Sequence, residues 1–254
     1  MDFTLHPGPG EPATILALRA SSITLNVAIK MREDLDDLMT QGGYTQVDRQ
    51  AARDILHLVH AVRVLEVAWP QAVPPPLEEH VRNLNRDVER AIAAAIHGAY
   101  RDAMREGPKP TQYPNQGHIA AMQAFYKGRV EEMTRENDET MVNNMLTMTA
   151  ILNRDMVRDN MLQTDLSAAK STLPLHYALH ILEQSVEGAQ PLVISRFVDC
   201  MREEVYRALS DAMYVEYRVC SQHDLERYPL PTPLHIDAAS MYCARAVNEA
   251  LVEE

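Results

Sequence analysis

Residues 77–103 read LEEHVRNLNRDVERAIAAAIHGAYRDA, and the spacing of their apolar members decides the fold class. Leu77, Val81, Leu84, Val88, Ile92, Ile96, Ala99 and Ala103 recur every three or four residues for about seven turns, which is the period of one face of an α-helix. Gly107-Pro108 stops the stripe, because glycine favours the end of a helix and proline cannot continue one.

The same period extends outward in both directions. Upstream, Asp48 is placed to cap a helix carrying Ala52, Ile55, Leu58, Val59, Val62, Leu65 and Trp69, ended by Pro70 and the run Pro74-Pro75-Pro76. A first helix is expected from about Ala13 to Met39, closed by Gly42-Gly43. Downstream, Ala121, Met122, Phe125 and Met133 mark a helix, and Met141, Met145, Met148, Leu152 and Met156 form a methionine-rich stripe that reads as core. Ser171, Thr172 and Pro174 read as a cap and first turn, opening a helix with Leu175, Leu179, Leu182 and Val186 inward. A long helix follows with Ile194, Phe197, Met201, Val205, Ala208, Leu209, Ala212 and Val219 on one face. After the spacer Tyr228 to Pro233 comes a last one with Ile236, Ala239, Cys243, Ala246, Val247 and Ala250. No alternating run is long enough for a strand, and the nine glycines are few for an architecture of tight hairpins. The expectation is an all-α fold: one helical domain over residues 1–254, a single bundle of about seven to nine helices with no substantial sheet and a seam at 107–117.

Composition narrows the function classes. Lys and Arg number 24 against 36 Asp and Glu, and the net charge of −12 disfavours a general grip on nucleic-acid phosphate. No run of about 18 apolar residues occurs, so no membrane span is expected, and Met1 to Pro7 lacks the basic start and apolar run of a signal peptide. A cytoplasmic location follows from these readings. Cys200, Cys220 and Cys243 are widely spaced and form no C-x-x-C pair, so they read as reduced, mostly buried thiols.

Among ten histidines, His176 and His180 stand one helical turn apart with Glu183 at the next, a spacing that can share a metal. Their face lies about 100° round from the Leu175 stripe, which sets it at the boundary between core and solvent. His57 and His60 flank the core stripe of their own helix and read as exposed. No histidine follows a glutamate by three residues, so the di-iron bundle pattern is missing, and no H-E-x-x-H occurs. The acidic run Glu33 to Asp37 lies at a helix end and reads as solvated, with Leu35, Leu38 and Met39 continuing the buried stripe. No phosphate loop, dinucleotide fingerprint or G-x-S-x-G is present. No catalytic, cofactor-binding or metal residue and no cofactor is assigned.

Three features resemble a known family in their order: Thr149-Ala150-Ile151-Leu152-Asn153-Arg154, the proline-spaced Tyr228-Pro229-Leu230-Pro231-Thr232-Pro233-Leu234, and the alanine-rich final helix. The segment Asp37-Leu38-Met39-Thr40-Gln41-Gly42-Gly43 is similar in character. Together they resemble the helical domain of orbivirus-type shell proteins, which form the outer core layer of double-stranded RNA viruses. The resemblance implies a non-catalytic role, association into trimers, contacts with other shell proteins and a place in the virion and host cytoplasm. Members of that family also carry a β-sandwich between two helical parts, whereas Gly107 to Thr140 is too short and too helical to hold one.

Two functions emerge as expectations. The first is a structural protein that self-assembles as a viral capsid or shell component, a homo-oligomer making interfaces through the Met141 to Met156 region and the proline-rich spacer. The alternative is a metal-binding helical-bundle enzyme using His176, His180 and Glu183.

Overall fold

The computed structural model describes residues 33–68, 73–106, 114–135, 138–185, 192–221 and 230–251. Those residues form eight α-helices and one 3-10 turn, with no strand among them. The helices are α1 (33–41), α2 (Gln46–Ala68), α3 (Glu78–Glu106), α4 (Gln116–Thr134), α5 (Asp138–Arg158), α6 (Gln163–Ser185), α7 (Leu192–Ser221) and α8 (Pro233–Ala250), and the 3-10 turn Pro75–Leu77 leads into α3. The fold is therefore the all-α bundle that the periodicity predicts. The start of the first helix, Trp69, the seam residues 107–113, Val186 and the spacer up to Pro229 lie outside the described residues, as do the side chains of His57, Met133 and Ile194.

Local chemistry sets the helix ends. α1 closes with Gly42 N–H donating to Leu38 O at 2.9 Å and Tyr44 N–H to Met39 O at 3.0 Å, while Gly43 takes a φ of +74°, a conformation that side chains disfavour. Thr45, not Asp48, caps α2. The Thr45 hydroxyl accepts from Asp48 N–H at 3.1 Å, and Asp48 Oδ2 reaches back to accept from Thr45 N–H at 3.0 Å. Asp48 thus stands inside the first turn rather than before it. α5 ends on Asn160, whose φ of 54° lets Met161 N–H bond back to Met156 O at 2.9 Å.

α2 and α6 are the inner helices. α2 packs against α3, α4, α5 and α6, and α6 packs against α2, α5, α7 and α8. On α2, Ile55, Leu56, Leu58, Val59, Ala61, Val62, Val64 and Leu65 are all buried, so its apolar surface runs round most of the helix. His60 is buried with them, which corrects the expectation of an exposed imidazole: α2 packs against α3, α4, α5 and α6, and the exposed residues described on it, Gln46 and Gln50, lie near its start.

α6 departs furthest from the expected pattern. It begins at Gln163 and continues through Pro174 without a break, so Ser171 and Thr172 are not its cap. The proline costs one helical hydrogen bond, but Leu173 and Leu175 on either side are fully buried, and packing holds the turn. Each hydroxyl bonds back to a carbonyl of the turn before, Ser171 to Ala168 O at 2.8 Å and Thr172 to Ala168 O at 3.1 Å.

The remaining stripes fall where the spacing puts them, with local exceptions. Leu84, Val88, Ile92 and Ile96 are buried on α3, and Met141, Met148, Leu152 and Met156 on α5. Ile236, Ala239, Cys243, Ala246, Val247 and Ala250 are buried on α8. On α4, Ile119, Met122, Tyr126 and Val130 form the core face, leaving Ala121 exposed. On α7, Val219 points to solvent and Tyr217 takes the buried position near the helix end. The buried apolar residues form one contiguous cluster spanning every described helix.

Candidate functional site

The α6 histidines come closest to the predicted metal site, and their setting differs from the one expected. His176 is only 7% exposed, and burial alone pushes its imidazole down to about 4, so the ring is neutral at pH 7. His180 is mostly buried too, and burial lowers it against a smaller opposing pull from Glu183. The boundary position assigned from the sequence is corrected for His176: α6 is enclosed by four helices, so a face 100° from its main stripe is still interior. Neither Nε2 has a hydrogen-bond partner among the described residues. Glu183 turns away to take the Arg202 guanidinium of α7 at 2.6 Å and 3.0 Å. No three His, Cys, Asp or Glu side chains among the described residues gather as a metal site would need.

A second constellation escaped the sequence reading. The Asp48 carboxylate, 1% exposed, accepts from Tyr100 OH at 2.8 Å and His118 Nε2 at 2.9 Å on one oxygen, and from the Thr45 hydroxyl at 2.8 Å on the other. Tyr126 OH donates to Asp48 O at 3.2 Å. Burial raises the Asp48 carboxyl, but the hydrogen bonds from His118, Thr45 and Tyr100 outweigh it and hold the group below the ordinary carboxylate value. Burial beside this carboxylate pushes the Tyr100 phenol up to about 12. The Asp48 carboxylate is shared among groups from three helices, so the cluster ties α2 to α3 and α4. The sequence signal is Asp48 itself, a carboxylate one turn ahead of Ala52 at the head of the apolar stripe.

Other polar ties cross the bundle in the same way. Tyr217 OH donates to the buried Asp165 carboxylate at 2.7 Å, joining α7 to α6. Around the nearly inaccessible Asp155 carboxylate, Arg154 lies at 2.9 Å, Arg158 at 3.3 Å and Arg245 at 3.3 Å, which fixes α8 against α5. A half-open groove of about 510 Å³ runs between α3 and α4, lined by Ala93, His97, Gln116, Ile119, Ala120 and Gln123. Of the thiols, only Cys243 is buried; Cys200 is exposed and Cys220 half-buried, which corrects the expectation that most are inside.

The bundle leaves large apolar side chains outside on α5, α7 and α8; on α7 these are Tyr206, Tyr214, Val215 and Val219. On α5, Leu146 is 64% and Val157 63% exposed, with Val142 and Ala150 also outward, and these four share one arc of the helix opposite the methionines. On α8, Leu234 and Met241 are the most exposed large apolar residues described, at 78% and 72%. Within the Met141 to Met156 region, Met141, Met148 and Met156 fill the core, and the opposite face of their helix is exposed. Of the spacer, Leu230 is exposed and Pro231 buried. A signal was present in the sequence, since no residue from Thr140 to Asn153 is charged.

No helix among the described residues is long and apolar enough to cross a membrane. Comparison with family models, with curated proteins and with solved structures finds no match to this chain, and the reading of its function rests on the geometry above.

Proposed function

We propose that this chain is a non-enzymatic structural protein that works by associating with copies of itself. The observation that supports this reading is the large apolar side chains held in solvent on α5 and α8, where Leu146, Val157, Leu234 and Met241 lie on well-packed helices instead of in loops. Burying each of them in a contact contributes about 1.5–3 kcal/mol. The buried polar groups add to the reading, because the Asp48, Asp165 and Asp155 clusters are spent on joining helices. A net charge of −12 suits a partner other than nucleic acid. A shell or capsid component is the specific form of this role that the sequence resemblance supports, with copies of itself and other shell proteins as partners.

Light scattering coupled to size exclusion tests the proposal over about 1–200 μM protein at two salt concentrations. A mass that rises with concentration is the expected result. A monomer throughout the range would remove self-association as the function.

A further inference from the structure

The stripe on α5 has a composition that selects its partner. Between Thr140 and Asn153 the helix carries no charge, although the chain as a whole carries a net charge of −12. A second acidic copy meets the least repulsion at such a face, and burying it strands no charged group. Val142, Leu146, Ala150 and Val157 run along about 22 Å of helix at 1.5 Å per residue. Ala150 at the middle of the stripe lets another backbone come close.

The ends of the helix add a direction. Glu139 is exposed at the start of α5, while Arg154 and Arg158 stand at its end with side chains 52% and 53% exposed, even as they bond to Glu249 and Asp159. Two such helices side by side in parallel set like charges together. In antiparallel order, each exposed Glu139 lies toward the Arg154 and Arg158 guanidinium groups of the other copy, whose charge Asp155, Asp159 and Glu249 offset in part, and the helix dipoles also oppose. α5 runs from 138 to 158, so a two-fold axis near Met148 sets Leu146 beside Ala150 of the second copy, Val142 beside the aliphatic stem of its Arg154, and Glu139 beside its Val157 and Arg158.

We infer that the outer face of α5 is a self-complementary docking surface that pairs antiparallel with α5 of a second copy about a two-fold axis. The inference rests on the proposed self-association and names its contact. A single helix face of this length falls at the small end of interface sizes.

The test is sedimentation equilibrium on the full chain, comparing the unaltered protein with Leu146→Glu/Val157→Glu and with Glu139→Lys, each checked for native helicity by circular dichroism. Both altered residues of the double variant are solvent-facing, so folding is retained. The expected result is a dimer whose Kd rises at least tenfold in the double variant and at least threefold in Glu139→Lys. A dimer unchanged by the double substitution overturns the inference while self-association stands, through another face. A trimer dissolved by the double substitution overturns the two-fold pairing, and a monomer at every concentration overturns both the inference and the proposed function.

Discussion

His80 Nδ1 lies 2.8 Å from Glu204 Oε1, joining the first turn of α3 to α7 across more than a hundred positions of sequence. Its other nitrogen, Nε2, lies 3.1 Å from Asp211 Oδ2 one helical stretch further along α7. Carboxylates only accept, so the ring serves both when each nitrogen carries a proton. Replacing His80 with Phe keeps the ring volume but leaves the half-buried Glu204 without its imidazole donor. A loss of about 1–3 kcal/mol in urea unfolding is expected. Unfolding at the unaltered midpoint would show that this clamp carries no stability.

Two buried aspartates respond to pH in opposite senses. Asp48 has its folded value held below 3.8, so its contribution is complete above pH 4 and is lost as pH falls through the lower folded value. Asp165 is raised, chiefly by burial, so its ionised form is disfavoured in the folded state and stability gains as pH falls through its folded value. Asp48→Asn is expected to cost about 2–4 kcal/mol at pH 7 and to flatten the acid limb of the stability curve. Asp165→Asn keeps an acceptor for Tyr217 OH and is expected to cost less than half as much. Thermal unfolding between pH 3 and 7 reads both, and equal losses would contradict the contrast.

His176 pays burial without a partner for Nε2. Its folded value of about 4 lies below the ordinary 6.5, so the unfolded chain binds more protons between those values and stability falls as pH drops through that window. His176→Phe is expected to change stability at pH 7 by less than about 1 kcal/mol and to reduce the fall between pH 6.5 and 4. The same preparations decide the metal alternative. A rise in Tm on adding zinc that His180→Ala abolishes would establish a metal site, whereas no rise is expected.

The three cysteines should separate cleanly towards a thiol reagent. Cys200 is exposed and Cys220 half-buried, while Cys243 is enclosed, 3.6 Å from Ala169 O, with its thiol pushed up to about 12 by burial. Expected are one fast thiol, one slower and a third that reacts only on unfolding. Rapid reaction at three thiols in the native protein would mean that α8 detaches from α6.

Much of this architecture is legible because helical period is a local property. The Leu84, Val88, Ile92, Ile96 stripe and the Met141 to Met156 stripe needed no knowledge of neighbours, and both are core. A helix packed on most of its sides leaves little outward face for the period alone to locate. Degrees counted from a main stripe put His60 on α2 outside and His176 on α6 at the boundary, and such a count holds only where one broad side of a helix meets water. Pro174 misled for a related reason, since local chemistry argues for a helix start and only packing from four neighbours overrides it. At the α2 terminus, Asp48 was recognised as a capping residue but displaced by three positions, because Thr45 and Asp48 bond reciprocally and either suits the role. The Asp48 cluster could not be foreseen, as Tyr100 and His118 approach it from two other helices.

The inner position of α2 also governs how the chain is made. Because α2 takes cover from α3, α4, α5 and α6, a nascent chain that has just released α3 leaves the apolar surface of α2 covered only in part. That exposure persists on the ribosome until Ser185 has emerged, more than a hundred residues after α2 itself. The cover of α2, an early helix, is therefore completed only late in synthesis.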